Sequence, residues 1–160
     1  MFGWRKNKTE ADTLDIISPV PGQVVGLEQV PDEAFSSKAM GEGFAVQPVK
    51  GEVRAPFSGK ISLVMNKSKH AVLLENEDGI QILIHVGVNT VSLKGDGFVS
   101  HVVTGQAVEQ GQLLLEFDIA KITEAGLSDI TSVIVPGGQE KVQRVEGLQE
   151  GEAVLRIFIS

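Results

Sequence analysis

The chain has 160 residues, no cysteine and a formal net charge of −7. That length suits one domain able to bury most of its unfolded surface without a covalent staple, and the missing cysteines exclude disulfides, thiolate zinc sites and a cysteine nucleophile of its own. The acidic balance disfavours a nucleic-acid partner, whose phosphates it would repel, and no apolar run approaches the roughly 18 residues that span a bilayer.

The opening "MFGWRKNKTEAD" is basic at first but lacks the apolar segment of a secretory signal. Residues 1–13 are expected to form a flexible tail, on which Phe2 and Trp4 beside Arg5, Lys6 and Lys8 could touch an anionic membrane. Residues 14–160 are expected to form one domain. The start at Met1 and the length are those expected of a free-standing protein, with an excised domain of a longer one as the alternative.

Short β-favouring runs then follow one another, each bounded by Gly, Pro, Asp or Asn. They are "GQVVGLEQV" from Gly22, "GKISLVM" from Gly59, "AVLLEN" from Ala71 and "IQILIHV" from Ile80. Further along come "SHVV" from Ser100, "GQLLLEFD" from Gly111, "SVIV" from Ser132 and "AVLRIFIS" from Ala153. Two stretches read as short helices: "PDEAFSSKAM" from Pro31, with Pro and acids in its first turn, and "IAKITEAG" from Ile119, ending on Gly126 as a cap. Neither is long enough to anchor a helical fold. The expected class is all-β: an antiparallel sandwich or barrel with short helical segments. Two internal echoes fit paired motifs. Ser18–Val24 resembles Ala55–Ile61 at an offset of 37, and "VEQGQLLLEF" from Val108 resembles "LQEGEAVLRI" from Leu148 at an offset of 40.

The segment "KHAVLLENEDGIQILIHVGV" carries two of the three histidines. Asn76-Glu77-Asp78-Gly79 is turn chemistry. A turn centred between Glu77 and Asp78 pairs Asn76 with Gly79 and places His70 directly opposite His85, on one face. A slip of one residue would send them to opposite faces. Two imidazoles in contact cannot both be protonated cheaply, so at least one is expected to be neutral near pH 7. A neutral imidazole keeps a lone pair and can be a nucleophile, a base or a metal ligand. His101, without such a partner, reads as structural.

Three chemistries compete for the pair. Catalytic zinc takes three protein ligands and a water; here two histidines lack H-x-H or H-E-x-x-H spacing, and a carboxylate such as Asp32 or Asp96 is not required by any spacing. A serine triad through Ser68 needs the strand to extend back that far. Phosphoryl transfer through histidine is the remaining option. It needs an attacking imidazole and groups that stabilise charge on the equatorial oxygens, and no metal. No phosphate-cradling glycine loop supports nucleotide use.

The run "ILIHVGVNTVSLKGDGF", residues 82–98, closely resembles the signature of the glucose-type enzyme IIA proteins of the bacterial sugar phosphotransferase system. So do "SPVPGQVVGLEQVPDEAFSSKAMGEGFAVQP", "APFSGKI" and "GQAVEQGQLLLEFD", and the likeness covers almost everything after residue 14. The resemblance implies a β-sandwich of the barrel-sandwich hybrid type and a cytoplasmic phosphoryl carrier that needs no cofactor. It implies that His85 accepts the phosphoryl group, that His70 supports its transfer, that Ser68 (commonly Thr in relatives) contacts the phosphate, and that Gly87 holds the imidazole through its carbonyl. The implied partners are HPr as donor and the IIB domain of a sugar permease as acceptor, the permease providing indirect membrane association. The docking surface is expected as an apolar apron of Phe35, Met40, Phe44, Val86 and Val88, with Asp32 and Asn89 on its rim. Two departures stand out: Asn89 replaces an Asp common in relatives, and "SLVMNKSKH" runs one residue longer than usual, which suggests a bulge before His70. A mainly regulatory binding protein and a zinc hydrolase, with adventitious or catalytic metal at His70 and His85, are the competing readings.

Overall fold

The computed structural model describes residues 12–160. They run as short strands: β1 (Asp12–Ile17), β2 (Gly22–Val25), β3 (Gly41–Pro48), β4 (Glu52–Arg54), β5 (Gly59–Val64), β6 (Ala71–Glu75) and β7 (Gln81–His85). After these come β8 (Phe98–Ser100), β9 (Ala107–Val108), β10 (Leu113–Phe117), β11 (Thr131–Pro136), β12 (Val142–Gly147) and β13 (Ala153–Ile159). Two helices interrupt them, α1 (Glu33–Ser36) and α2 (Ile119–Glu124). Asp32 caps α1 by accepting from the Ala34 amide, and Asp118 caps α2 by accepting from the Lys121 amide. Gly126 takes the left-handed turn just past α2, with φ of 79°. Of the helix read over residues 31–40 only the α1 turn forms; Lys38, at φ of 64°, turns the chain away towards β3.

A seven-stranded sheet has the order β2-β3-β11-β7-β6-β5-β9, and two three-stranded sheets have the orders β4-β10-β8 and β1-β13-β12. Neighbouring strands pair antiparallel throughout the central β3-β11-β7-β6-β5 run. The fold is an antiparallel β-sandwich. Alternation along the central strands decides what lies inside. Val72, Leu74, Ile82 and Ile84 point into the main core, where they meet Leu115 and Phe117 of one small sheet and Leu155 and Ile157 of the other. The opposite face of the large sheet is covered by the segment that holds α1. There Leu27, Val30, Phe35, Ala45, Val88, Ile130 and Ile134 form a second, smaller cluster, with Leu83 against it.

Both sequence echoes fall on equivalent elements. β2 and β5 start 37 residues apart, at Gly22 and Gly59, and β10 and β13 start 40 apart, at Leu113 and Ala153. The domain boundary expected at residue 14 lies inside β1, whose Asp12 and Thr13 pair with Ile159 and Phe158. The membrane-touching side chains proposed for the tail lie outside the described residues. Among the described residues no helix is long and apolar enough to cross a membrane.

Candidate functional site

The hairpin β6–β7 is closed by three residues. Asn76 and Ile80 face each other through Asn76 N–H donating to the Ile80 carbonyl at 3.0 Å, and the Asn76 side-chain oxygen accepts from the amides of Asp78 (3.1 Å) and Ile80 (2.9 Å). Gly79 supplies the left-handed residue, at φ of 84°, that such a loop requires. An odd loop moves the centre of the turn onto Asp78. Ala71, not His70, therefore pairs with His85, and the register expected from an even loop is corrected by one residue.

The imidazoles meet nevertheless. Their ring centroids lie 4.8 Å apart with the planes at 87°. His70 stands just before β6, after a turn over residues 66–68 closed by Lys69 N–H donating to the Met65 carbonyl at 3.2 Å. Lys69 takes a left-handed conformation, φ 53°. This reversal frees the His70 side chain from strand alternation and lets it swing to the side of His85. The Val86 amide, donating to the His70 carbonyl at 2.8 Å, ties the two segments together. The length of "SLVMNKSKH" is thus taken up by a turn; the irregularity in strand pairing falls earlier, between Ile61 and Leu63.

His85 ends a regular strand, on the face opposite Ile84. Its Nδ1 lies 2.9 Å from the Gly87 carbonyl oxygen. A carbonyl only accepts, so Nδ1 carries the proton and Nε2 keeps its lone pair. Gly87 is required there: its φ is 71°, and a Cβ would stand 2.7 Å from the Ser128 carbonyl oxygen and 2.5 Å from Thr90 Cγ2. The loop is pinned further by the Val88 amide donating to Ser128 at 3.0 Å and by Thr90 Oγ1 donating to the Val86 carbonyl. Phe35 packs its ring against the imidazole, centroids 5.0 Å apart.

Burial, and then the neighbouring His85, pushes the pKa of His70 down to about 4. Burial also lowers that of His85, against the opposing influences of the Gly87 carbonyl and the Asp32 charge. Both rings are neutral near pH 7. His70 Nδ1 lies 2.8 Å from Ser68 Oγ, and both side chains are buried. With the hydroxyl as donor, His70 keeps an Nε2–H to offer. Ser132, the strand partner of His85 on β11, buries a hydroxyl that has no hydrogen-bond partner among the described residues; nothing in the sequence marks it.

The expected apron is only partly assembled. Phe44 and Val86 are 4% and 0% exposed and belong to the main core, so neither offers a surface. Each falls on the inward side of its strand or strand end, as alternation dictates. Phe35 and Val88, 5% and 8% exposed, are likewise buried, in the second cluster beneath His85, so of the expected apolar apron only Met40 presents a surface. Met40 is exposed, as is Asn89, which holds a left-handed conformation (φ 61°) ahead of a 3-10 turn at Thr90–Leu93. Met65 and Val91, exposed apolar residues near Ser68, were not foreseen. His101 is 2.6 Å from Glu116 on the surface, just after β8 and not at the head of a strand. Among the described residues no three His, Asp or Glu side chains converge as a metal site would require.

The face of the antiparallel sandwich thus carries two touching imidazoles, both with lowered pKa, one of them tautomer-locked with Nε2 unprotonated. Residues 14–140 match the family of the phosphoenolpyruvate-dependent sugar phosphotransferase system, EIIA 1. A glucose-specific EIIA component from Oceanobacillus iheyensis is 41% identical over 143 residues, covering 89% of this chain and 86% of that protein. The solved structure of glucose permease IIA from Mycoplasma capricolum superposes with a TM-score of 0.78 at 30% identity, covering 96% of this chain and 99% of that one. The chain belongs to the EIIA 1 family, and its role is that of a phosphoryl carrier in sugar phosphotransfer.

Proposed function

We propose that His85 Nε2 is the phosphoryl acceptor, with phospho-HPr as donor and the IIB domain of a glucose-type sugar permease as recipient, at the cytoplasmic side of the membrane. The observation that carries this reading is the Nδ1–Gly87 hydrogen bond, which leaves Nε2 bare beside a second neutral imidazole. In the transfer, the N–P bond of the donor histidine breaks as the Nε2–P bond forms. The Nδ1 proton stays on His85, so the ring gains positive character. The Gly87 carbonyl and the Asp32 carboxylate are the groups placed to stabilise it. His70 donates from Nε2–H to the equatorial phosphoryl oxygens while Ser68 donates to its Nδ1, which lowers the barrier by positioning and charge stabilisation. The second step reverses the sequence, with a thiolate of IIB as nucleophile. The unit that does this is the span from residue 14 to 160, with β1 completing it from residue 12.

Bonds broken and made with HPr are alike, so the equilibrium is expected within about tenfold of unity, or about 1.4 kcal/mol. The test is incubation with phosphoenolpyruvate, enzyme I and HPr, followed by mapping of the label. The wild-type protein should label on His85, and a His85→Ala protein should take none. Normal labelling of His85→Ala with loss in His70→Ala would reverse the assignment.

A further inference from the structure

Beside the histidine pair lies an open groove of about 590 Å³, floored by Met65 and Val91 and edged by Lys67, Ser68, Lys69 and Lys94. Its two walls are the turn before His70 and the loop after the Thr90–Leu93 turn, and they are pressed together. A Cβ on Gly95 would lie 2.1 Å from the Lys67 carbonyl oxygen. Met65 is 40% and Val91 52% exposed, so the floor is wetted apolar surface. Among the described residues none of the three lysines is in an ion pair, whereas nearby Lys121 is held by Asp96 at 2.9 Å. Three uncompensated cations are thus gathered at one spot of a chain whose net charge is −7. Lys69 and Lys94 sit there in left-handed conformations, φ 53° and 54°, which lysine adopts only where the surrounding structure enforces it.

We propose that this groove docks an acidic protein segment bearing an apolar anchor. An apolar floor inside a charged rim is the anatomy of a protein interface, and the openness of the groove suits a chain lying across it better than an enclosed small molecule. Charge complementarity sets the sign of the partner. An anionic bilayer is disfavoured because the acidic remainder of the surface would be repelled by it. Ser68 lines the groove and also bonds His70, so an occupant lies against the phosphotransfer site. The inference does not depend on which imidazole takes the phosphoryl group.

The test is an amide-shift titration of the isotope-labelled full chain with a hexapeptide probe, two central apolar residues flanked by Asp and Glu. The charge-reversed hexapeptide, inorganic phosphate and phosphatidylglycerol vesicles are run in parallel. The acidic peptide should shift the amides of residues 65–69 and 91–95. Its affinity should fall at least tenfold in a Lys67→Glu, Lys94→Glu double variant whose remaining spectrum is unchanged, and should fall with added salt. Equal binding of the reversed peptide, or shifts confined to other residues, would overturn the proposal. Phosphate alone reproducing the shifts would reduce the groove to an anion site, and binding of vesicles without the peptide would assign it to membrane; either result overturns it as well.

Discussion

His85 and His70 meet edge to face with ring centroids 4.8 Å apart, yet they are held by opposite means. His85 ends a paired strand, flanked by β6 and β11, with its tautomer set by a backbone carbonyl and its ring against Phe35. His70 follows a turn with a left-handed lysine, and its ring partner is a rotatable serine hydroxyl. The group with the fixed nitrogen is therefore built on regular, rigid structure, and the group whose proton position is adjustable is hung from a turn. On the proposed assignment this is the division of labour expected, because a nucleophile must be in one place. A donor that serves two successive partners gains from a ring whose bonding can reorganise.

The largest test of that contrast is His70→Gln. Glutamine keeps a donor but loses the adjustable ring, so transfer should drop by about 10²–10³ while the fold persists. Wild-type rates in both directions would erase the distinction between the two sites. The pH dependence of stability separates them next. An unfolded His70 protonates near 6.5, the folded one only near 4. Because the folded pKa is depressed, the stability that a neutral His70 provides is complete above about 6.5 and drains as pH falls towards 4. Denaturant unfolding should show a loss of roughly 2–4 kcal/mol over that window, and a shallower loss in His70→Gln; parallel curves would mean that His70 is not held neutral by burial. Phosphoryl acceptance at His85 should likewise persist below pH 6.5, since its own pKa is lowered.

Gly87→Ala probes the rigid side. It forces a left-handed alanine and a Cβ against the Ser128 carbonyl, so thermal or chemical unfolding should register a loss of about 2–3 kcal/mol. A smaller loss would show that the loop holding His85 gives more easily than its hydrogen bonds imply. The mildest change is Asn89→Asp. Aspartate tolerates the left-handed backbone and adds a rim charge, so association with HPr should quicken by about threefold at low salt and by nothing at high salt. No change in either condition would put position 89 outside the interface.

The sequence made the histidine pair legible but not the route to it. Asn76 to Gly79 announces a turn, and the odd length of that turn is decided by the Asn76 side chain bonding two amides and Gly79 going left-handed. Counting from an even loop brought the rings together by strand opposition; in the protein, the Lys69 reversal does it. β3 escaped notice because "GEGFAVQP" begins with Gly-Glu-Gly and ends in Pro, the marks of a loop, although pairing on both sides overrides those propensities. β1, β4 and β12 carry charges on exposed positions and satisfy no simple apolar pattern. The apron fails because four of its five apolar members are core: Phe44 lies on the β3 that the propensities conceal, Val86 is turned inward by alternation from His85 whatever the register, and Phe35 and Val88 pack in the second cluster.

The pairing of Asp12 with Ile159 has a consequence for how this sandwich can be rewired. The two ends of the described chain leave as neighbours on one ladder, clamped by Arg156 to Asp15 through bonds of 2.8 and 3.0 Å. A short linker joining them spans almost no distance, and the exposed turn at Glu150–Glu152 between β12 and β13 offers a place to reopen the chain. Such a circular permutant keeps every strand pair and leaves the histidines untouched. Anything joined directly at Asp12 or just past Ile159 starts from the same corner of the sandwich.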